Sequence, residues 1–452
     1  MSAESVMSAD DDRRRPGPLW PSLLPPEAQG DDSLCAVSAH GVRVRFADGR
    51  ELLCGSSGLW NTNLGYGNPV IAAATAQALR EASYLSVFRY ENRYARSAAA
   101  ELVRVSGAEH YARVLFSTSG GAANDLVMKL ARHYHALRGE PRRNLVVGLR
   151  DSYHGLTYGS FGLTGEPLGQ PLYGVDQRLV RHVAANDDAD LRTLMDRQGD
   201  RVAAVVVEPV LGSGAVPLTA EYIDTLLRLR DQHGFLLVAD EVATGFGRTG
   251  PFFASQEWPG RPDLLVASKG LTNGTAAAAA VIASHRVADT FTRTGAVLMH
   301  GETQAGTPAT CAAIVATIAE MRRLDALTLG RRLSALLDTA LGRLVRDHPL
   351  VSASTGVGCF RSLRICAPDR TPLPQSAVSA LVGSVRAAGA IVHPGVNGIQ
   401  LIPALVYTPA ELTELLDRVL TGLAAFAATA YPGWEPRASR SAAAPQLLGA
   451  GS

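Results

Sequence analysis

Short unbroken apolar runs alternate with helix-spaced stretches through the middle of this chain. Residues 113–116 lead into 122–138, whose apolar positions recur at helical spacing, and a second run covers 144–149. A third run, VAAVVVE, spans 202–208; the amphipathic stretch 221–233 precedes FLLVAD at 235–240, and runs at 264–267 and 276–283 follow. Runs that are apolar at every position, rather than at every second one, belong to strands covered on both faces. The pattern therefore predicts a mostly parallel α/β sheet flanked by helices. Functional groups in such sheets gather at the carboxyl ends of strands. Here those ends carry Ser119-Gly120-Gly121, Tyr153-His154-Gly155, Glu208-Pro209, Asp240-Glu241 and Lys269.

The flanks read differently. Residues 32–54 contain VRVRFADGRELLC, which predicts a β-hairpin turning on Asp48-Gly49. From 326 onward come a helix (328–347), a Gly-rich bend, two strands (360–366 and 398–402) and a final helix (409–427). Together they predict a smaller α+β unit built from both ends of the chain. The expected divisions are a polar leader (1–18), the N-terminal part of the small domain (19–75), a large domain (76–325), the C-terminal part of the small domain (326–434) and a loose tail (435–452).

Composition narrows the classes. A chain of 452 residues with 46% hydrophobic and 19% charged residues suits a soluble globular protein. A net charge of +1 gives no footing for a nucleic-acid or membrane-surface partner. No apolar h-region stands near the N-terminus, and 276–283 is too short to cross a bilayer. Five scattered cysteines without CxxC spacing point to a reducing cytoplasm and to no structural metal.

Within DLLVASKGLTNG (263–274), one lysine stands among small residues, downstream of a strand ending in Asp-Glu. A lysine amine can hold an aldehyde cofactor as a Schiff base, and a carboxylate at a pyridine nitrogen keeps that nitrogen protonated. Ser119-Gly120-Gly121, between a strand and a helix, has the features of an anion site or of a plain βα turn. Tyr153 offers an aromatic face. Asp240 at the end of an apolar strand is a pyridinium partner or the N-cap of the next turn.

LWNTNLGYGNP (59–69), FSTSGGAANDLVMKLAR (116–132), SYHG (152–155), EPVLGSGAVPL (208–218), DEVATGFGRTG (240–250), SKGLTNG (268–274) and HGETQAGTPATCAAIVA (300–316) occur in that order. Over roughly residues 40–425 the chain resembles the class III (ornithine or ω-amino acid type) aminotransferases of fold type I. The resemblance implies pyridoxal 5'-phosphate, a seven-stranded mostly parallel sheet and a homodimer with shared active sites. Lys269 would carry the Schiff base and move the proton. Asp240 would pair with the pyridine nitrogen, Tyr153 and Val242 would cover the two ring faces, and Ser119, Gly120 and Gly121 would bind the phosphate. Thr303 would reach that phosphate from the neighbouring subunit, and Glu208 would lie near the phenolic oxygen.

Departures from the family pattern are equally informative. Thr118, Gly121 and Ala122 stand where Asn, Thr and Glu are usual, and Ala243 replaces a Gln. Near the C-terminus Gln400 stands where many members have an arginine for a substrate carboxylate, and glutamine supplies no charged fork. Trp60 resembles the tryptophan of amine-type members, or is a half-buried core aromatic; Arg89 and Arg361 are substitute carboxylate contacts to be tested. The expected activity is transfer of an amino group between a primary amine or amino acid and a ketone or aldehyde, including a carbonyl at a peptide terminus in natural-product tailoring. An aminomutase or epimerase of the same family and a non-catalytic partner subunit are the alternatives.

Overall fold

The computed structural model describes residues 17–433. All but Gly17 and Pro18 of the expected leader, and the whole of the expected tail, lie outside those residues. The large sheet has seven strands in the order Tyr111–Ser117, Ala279–Ser284, Leu264–Ala267, Leu236–Asp240, Val202–Val207, Leu145–Leu149 and Val180–Val183. Ala279–Ser284 runs antiparallel to both neighbours and the remaining pairings are parallel. The central strands are buried at every position, as their apolar runs require. Val146, Val206, Val238 and Val266 pack under helix Gly120–Leu137, whereas Val147, Val205, Val207 and Leu237 face helices Asp188–Gln198 and Ala220–His233. Among the described residues, no helix is long and apolar enough to cross a membrane.

Two further four-stranded sheets draw on the rest of the chain, and Val210–Leu211 pairs with Val216–Pro217 in a short two-stranded ribbon. Arg43–Phe46 and Glu51–Cys54 form the expected hairpin around Asp48-Gly49, with Gly49 at φ +87°. Ala36–His40 adds one strand, and Ala390–Ile391 adds another, running parallel to Leu53 and Cys54. Val351–Val357, Phe360–Ile365, Gly398–Leu401 and His393–Gly395 form an antiparallel sheet in that order. Helices Ala326–Asp347, Val378–Ala387 and Pro409–Ala430 cover it through Leu344, Leu381 and Leu423 against Leu363 and Ile399. The last helix starts at a Thr408–Glu411 capping box with Pro409 in its first turn.

Several elements were not anticipated. Val180–Val183 is an edge strand with Arg181 and His182 only partly covered, so it lacks an apolar run. Val351–Val357 is partly exposed along most of its length, and His393–Gly395 contains a proline; neither carries the usual strand pattern. The run at 276–283 enters the sheet only at Ala279 and ends at Ser284.

Candidate active site

The strand ends converge on one cleft. Asp240, 2% exposed, closes its strand, and both of its oxygens accept hydrogen bonds. Oδ2 takes His154 Nδ1 at 2.7 Å and Asn124 Nδ2 at 2.8 Å; Oδ1 takes the Val242 amide at 3.1 Å. Burial opposes charge on His154, but the Asp240 carboxylate outweighs it and raises the imidazole pKa. Asn124 Nδ2 also donates to the His154 carbonyl at 2.9 Å, fixing the 152–155 turn against the helix. Gly155 has φ +124°, and a Cβ there would lie 2.5 Å from Gly121 Cα, so only glycine lets this turn meet the helix start.

That helix, Gly120–Leu137, begins with Ser119 as N-cap, its Oγ accepting from the Ala122 amide at 3.2 Å. The Gly120 and Gly121 amides have no intrahelical acceptor, which leaves donors aimed outward beside the positive end of the helix dipole. A Cβ on Gly120 would sit 3.1 Å from Val242, and one on Gly121 would sit 3.3 Å from Ser160 Oγ and 3.5 Å from Thr157 Oγ1. Those hydroxyls stand where Gly121 itself offers none. Thr118 instead binds Glu302, through its amide at 3.0 Å and its hydroxyl.

Lys269 opens the turn after Leu264–Ala267, in a left-handed conformation with φ +49°. Asn273 holds this turn to the entrance segment, giving Nδ2 to Gly65 O and accepting the Leu64 amide at Oδ1. The Lys269 Nζ makes no hydrogen bond with a described residue; it lies 4.7 Å from the centroid of the Trp60 ring. Burial pushes its pKa below the ordinary lysine value against the pull of Glu208 and Asp240, favouring a neutral, nucleophilic amine. Glu208 bridges the cleft: Oε2 accepts the Tyr153 amide at 2.9 Å and Oε1 the Gly212 amide at 3.1 Å. Burial drives its pKa up to about 7. Tyr153 is 39% exposed, and among the described residues no other ring stacks on it.

The opposite wall comes from the small sheet and the entrance segment. Trp60 is buried beside Val210, Ala215, Phe360 and Ile402, with Ala243 at the edge of this cluster. Gln400 is buried, and its Nε2 donates to Gly212 O at 2.7 Å. His393, which the sequence did not single out, meets the Trp60 ring edge-on at 4.7 Å.

Not every expected residue enters the cleft. Arg361 is a correction: its guanidinium is committed to Gly356 O, Gly358 O, Ser334 Oγ and Asp338, so it offers no free fork for a carboxylate. Arg89 and Thr303 are exposed. Their segments pack together through the Tyr84 hydroxyl, which donates to Thr303 O at 3.0 Å, and through Phe88 against Gly301. Glu241 is structural: its buried carboxylate accepts from Thr244 Oγ1 and from the Ala254 and Ser255 amides. Arg248 ties Asn63 to the carbonyls of Cys359 and Pro403.

The donor set fits pyridoxal phosphate on three observations. An unpaired lysine amine, a buried carboxylate fixed by three donors, and free amides at a helix N-terminus line one cleft. The comparisons agree. The family described as "Aminotransferase class-III" matches residues 27–422. The chain is 32% identical to the acetylornithine aminotransferase of Neisseria meningitidis serogroup A, covering 87% of this chain and 96% of that one. It is 26% identical to the putrescine–pyruvate aminotransferase of Pseudomonas aeruginosa, over 84% and 88%. A solved amine transaminase from an uncultivated Pseudomonas species, with pyridoxal phosphate bound, superposes with a TM-score of 0.85 at 29% identity, covering 91% of this chain and 99% of that one. The chain therefore belongs to the class III aminotransferases and is a pyridoxal-phosphate-dependent transaminase of fold type I.

Proposed function

We propose that this enzyme moves an amino group from a primary amine or amino acid to a ketone or aldehyde, the donor leaving as its carbonyl compound and the acceptor leaving as an amine. The observation that carries the reading is the Lys269 amine, which makes no hydrogen bond with a described residue and whose pKa burial lowers against the pull of Glu208 and Asp240. When bound, pyridoxal phosphate supplies an aldehyde that captures amines and a ring that accepts the electrons of the broken C–H bond. Lys269 would hold the cofactor and carry the proton to and from the substrate carbon. Asp240, oriented by His154 and Asn124, would pair with the pyridine nitrogen. Tyr153 and Val242 would cover the ring. Ser119 and the Gly120 and Gly121 amides would hold the phosphate, and Glu208 would stand near the phenolic oxygen.

Gln400 in place of an arginine, and the commitment of Arg361 to Ser334 and Asp338, support substrates that need no carboxylate clamp, among them a peptide with a terminal carbonyl. Exposed Tyr84, Leu85, Phe88, Tyr90, Val297 and Met299 flank the segments carrying Arg89 and Thr303. These residues form the face through which a second copy docks and lends Thr303 to the phosphate site. The free thiols support a reducing, cytoplasmic setting.

The test is an absorbance spectrum of the cofactor-loaded enzyme, followed by single additions of amines. Bleaching of the visible band by a primary amine, without a second substrate, is the expected result; a protein with no such band overturns the reading. Light scattering of the purified chain at twice the monomer mass is expected for the dimer, and a monomeric active enzyme refutes it.

A further inference from the structure

The small-sheet wall of the cleft carries polar groups with no protein partner. Thr355, Ser362, Gln400 and His393 are paired in succession across four adjacent strands. Directly paired residues share one face of a sheet, so these four side chains form a single row. The row lies against the 212–214 turn, where Thr355 Oγ1 donates to Gly214 O at 2.6 Å and Gln400 Nε2 to Gly212 O at 2.7 Å. It ends at His393, in contact with Trp60, whose ring is in turn 4.7 Å from Lys269 Nζ. The row therefore leads to the reacting amine.

Three groups along it stay open. Among the described residues, Gln400 (2% exposed) has no donor to its Oε1 and Trp60 (8% exposed) no acceptor for its Nε1. Buried polar atoms left unpaired keep the cost of losing their water, a cost that a bound group can remove. His393 makes no hydrogen bond with a described residue, and burial, reinforced by Lys269, brings its imidazole pKa down to about 4. At ordinary pH it is neutral, with one N–H donor and one bare nitrogen. Arg361 is engaged with its own turn and Asp338, and Arg248 with Asn63 and two carbonyls; the half-buried Arg364 stands on the same face one pair further along, opposite Gly398.

We infer that Gln400, His393 and Trp60 recognise an uncharged group on the amine substrate that both donates and accepts, a carboxamide or hydroxyl, and that they select against a carboxylate. The donor of that group reaches Gln400 Oε1, and its oxygen accepts from His393 or Trp60. A carboxylate has only acceptors to offer. It would set one acceptor against another at the bare Gln400 oxygen, which no donor of the acid can satisfy. This inference deepens the transaminase reading and rests on it.

The experiment compares three linear amines of equal length ending in a methyl, carboxamide or carboxylate group, each reacted once with the cofactor-loaded enzyme while the visible band is followed. In parallel, calorimetry measures binding of the matching amide and acid that carry no amino group. The amide is expected to react and bind at least about tenfold better than the acid, because the unmatched acceptor is left unpaired. Gln400→Leu and His393→Phe should each collapse the amide-to-methyl ratio, and Gln400→Arg should shift preference toward the acid. If one variant fails to fold, the other carries the same ratio. Equal or better handling of the acid by the wild-type enzyme overturns the inference. Should no amine bleach the band, the transamination reading fails separately, while calorimetric preference for the amide still decides the character of the wall.

Discussion

The two walls of the cleft are built on opposite electrostatic plans. On the large-sheet side a buried carboxylate, Asp240, is held at both oxygens by three donors, and an imidazole raised by that carboxylate stands next to it. On the small-sheet side the polar groups are neutral and several remain unpaired. A fixed charge needs its partners in place before the ligand arrives, since an unsolvated ion is expensive. A neutral group can wait for its ligand at much lower cost. The first wall suits one invariant cofactor; the second suits a substrate that changes in each half-reaction.

Substitutions can separate the walls. Lys269→Ala should produce the largest effect, lowering the amine-dependent bleaching rate by about 10²–10⁴-fold or more while the fold is kept, measured by stopped-flow absorbance against circular dichroism. Retained turnover would remove Lys269 from the chemistry. Asp240→Asn keeps the shape and removes the charge; a loss of about 10²–10³-fold in kcat is expected, with cofactor affinity also weakened. An unchanged kcat would show that the charge on the first wall is idle. Arg361→Leu should act on stability instead. It strips donors from Gly356 O, Gly358 O and Ser334 and the ion pair from Asp338, costing about 2–4 kcal/mol in denaturant titration without changing the acid-to-amide preference. A change in that preference would return Arg361 to the substrate site.

The smallest expected effect concerns Glu208, which sits between the walls. Its folded-state pKa of about 7 lies above the ordinary 4.5. Its contribution to the stability of the cofactor-free protein is thus fully present below about pH 4.5 and is lost as pH rises through about 7. Glu208→Gln should flatten the fall in melting temperature across that window; an identical slope in the variant would mean that the carboxyl titrates normally.

Sequence reasoning reached the first wall far better than the second. Apolar runs at 202–208 and 235–240 announce strands buried on both faces, and the polar residues at their ends are conspicuous by contrast. Lys269, Asp240 and the glycine turn were visible for that reason and through the family motifs. The antiparallel direction of Ala279–Ser284 was not, because direction leaves no mark on an apolar run. His393 escaped notice because its importance lies in its pairing with Gln400 and its contact with Trp60, neither of which is local in sequence. Arg361 was misjudged because the carbonyls that occupy it belong to its own hairpin, which cannot be seen before the turn is built.

The tie between the chain's two ends bears on when each wall is made. All seven strands of the large sheet are complete once Ser284 has been synthesised. Trp60 stands at the end of four consecutive left-handed residues, with Ser57 anchored through its hydroxyl to Ile402 O, 345 positions away in sequence. Glu51–Cys54 likewise waits for Ala390–Ile391 before it gains its parallel neighbour. Closing loops of that length is slow relative to local pairing. A growing chain therefore holds one early hairpin edge open through most of its synthesis, and the wall carrying Trp60 and Gln400 is completed only long after the large sheet.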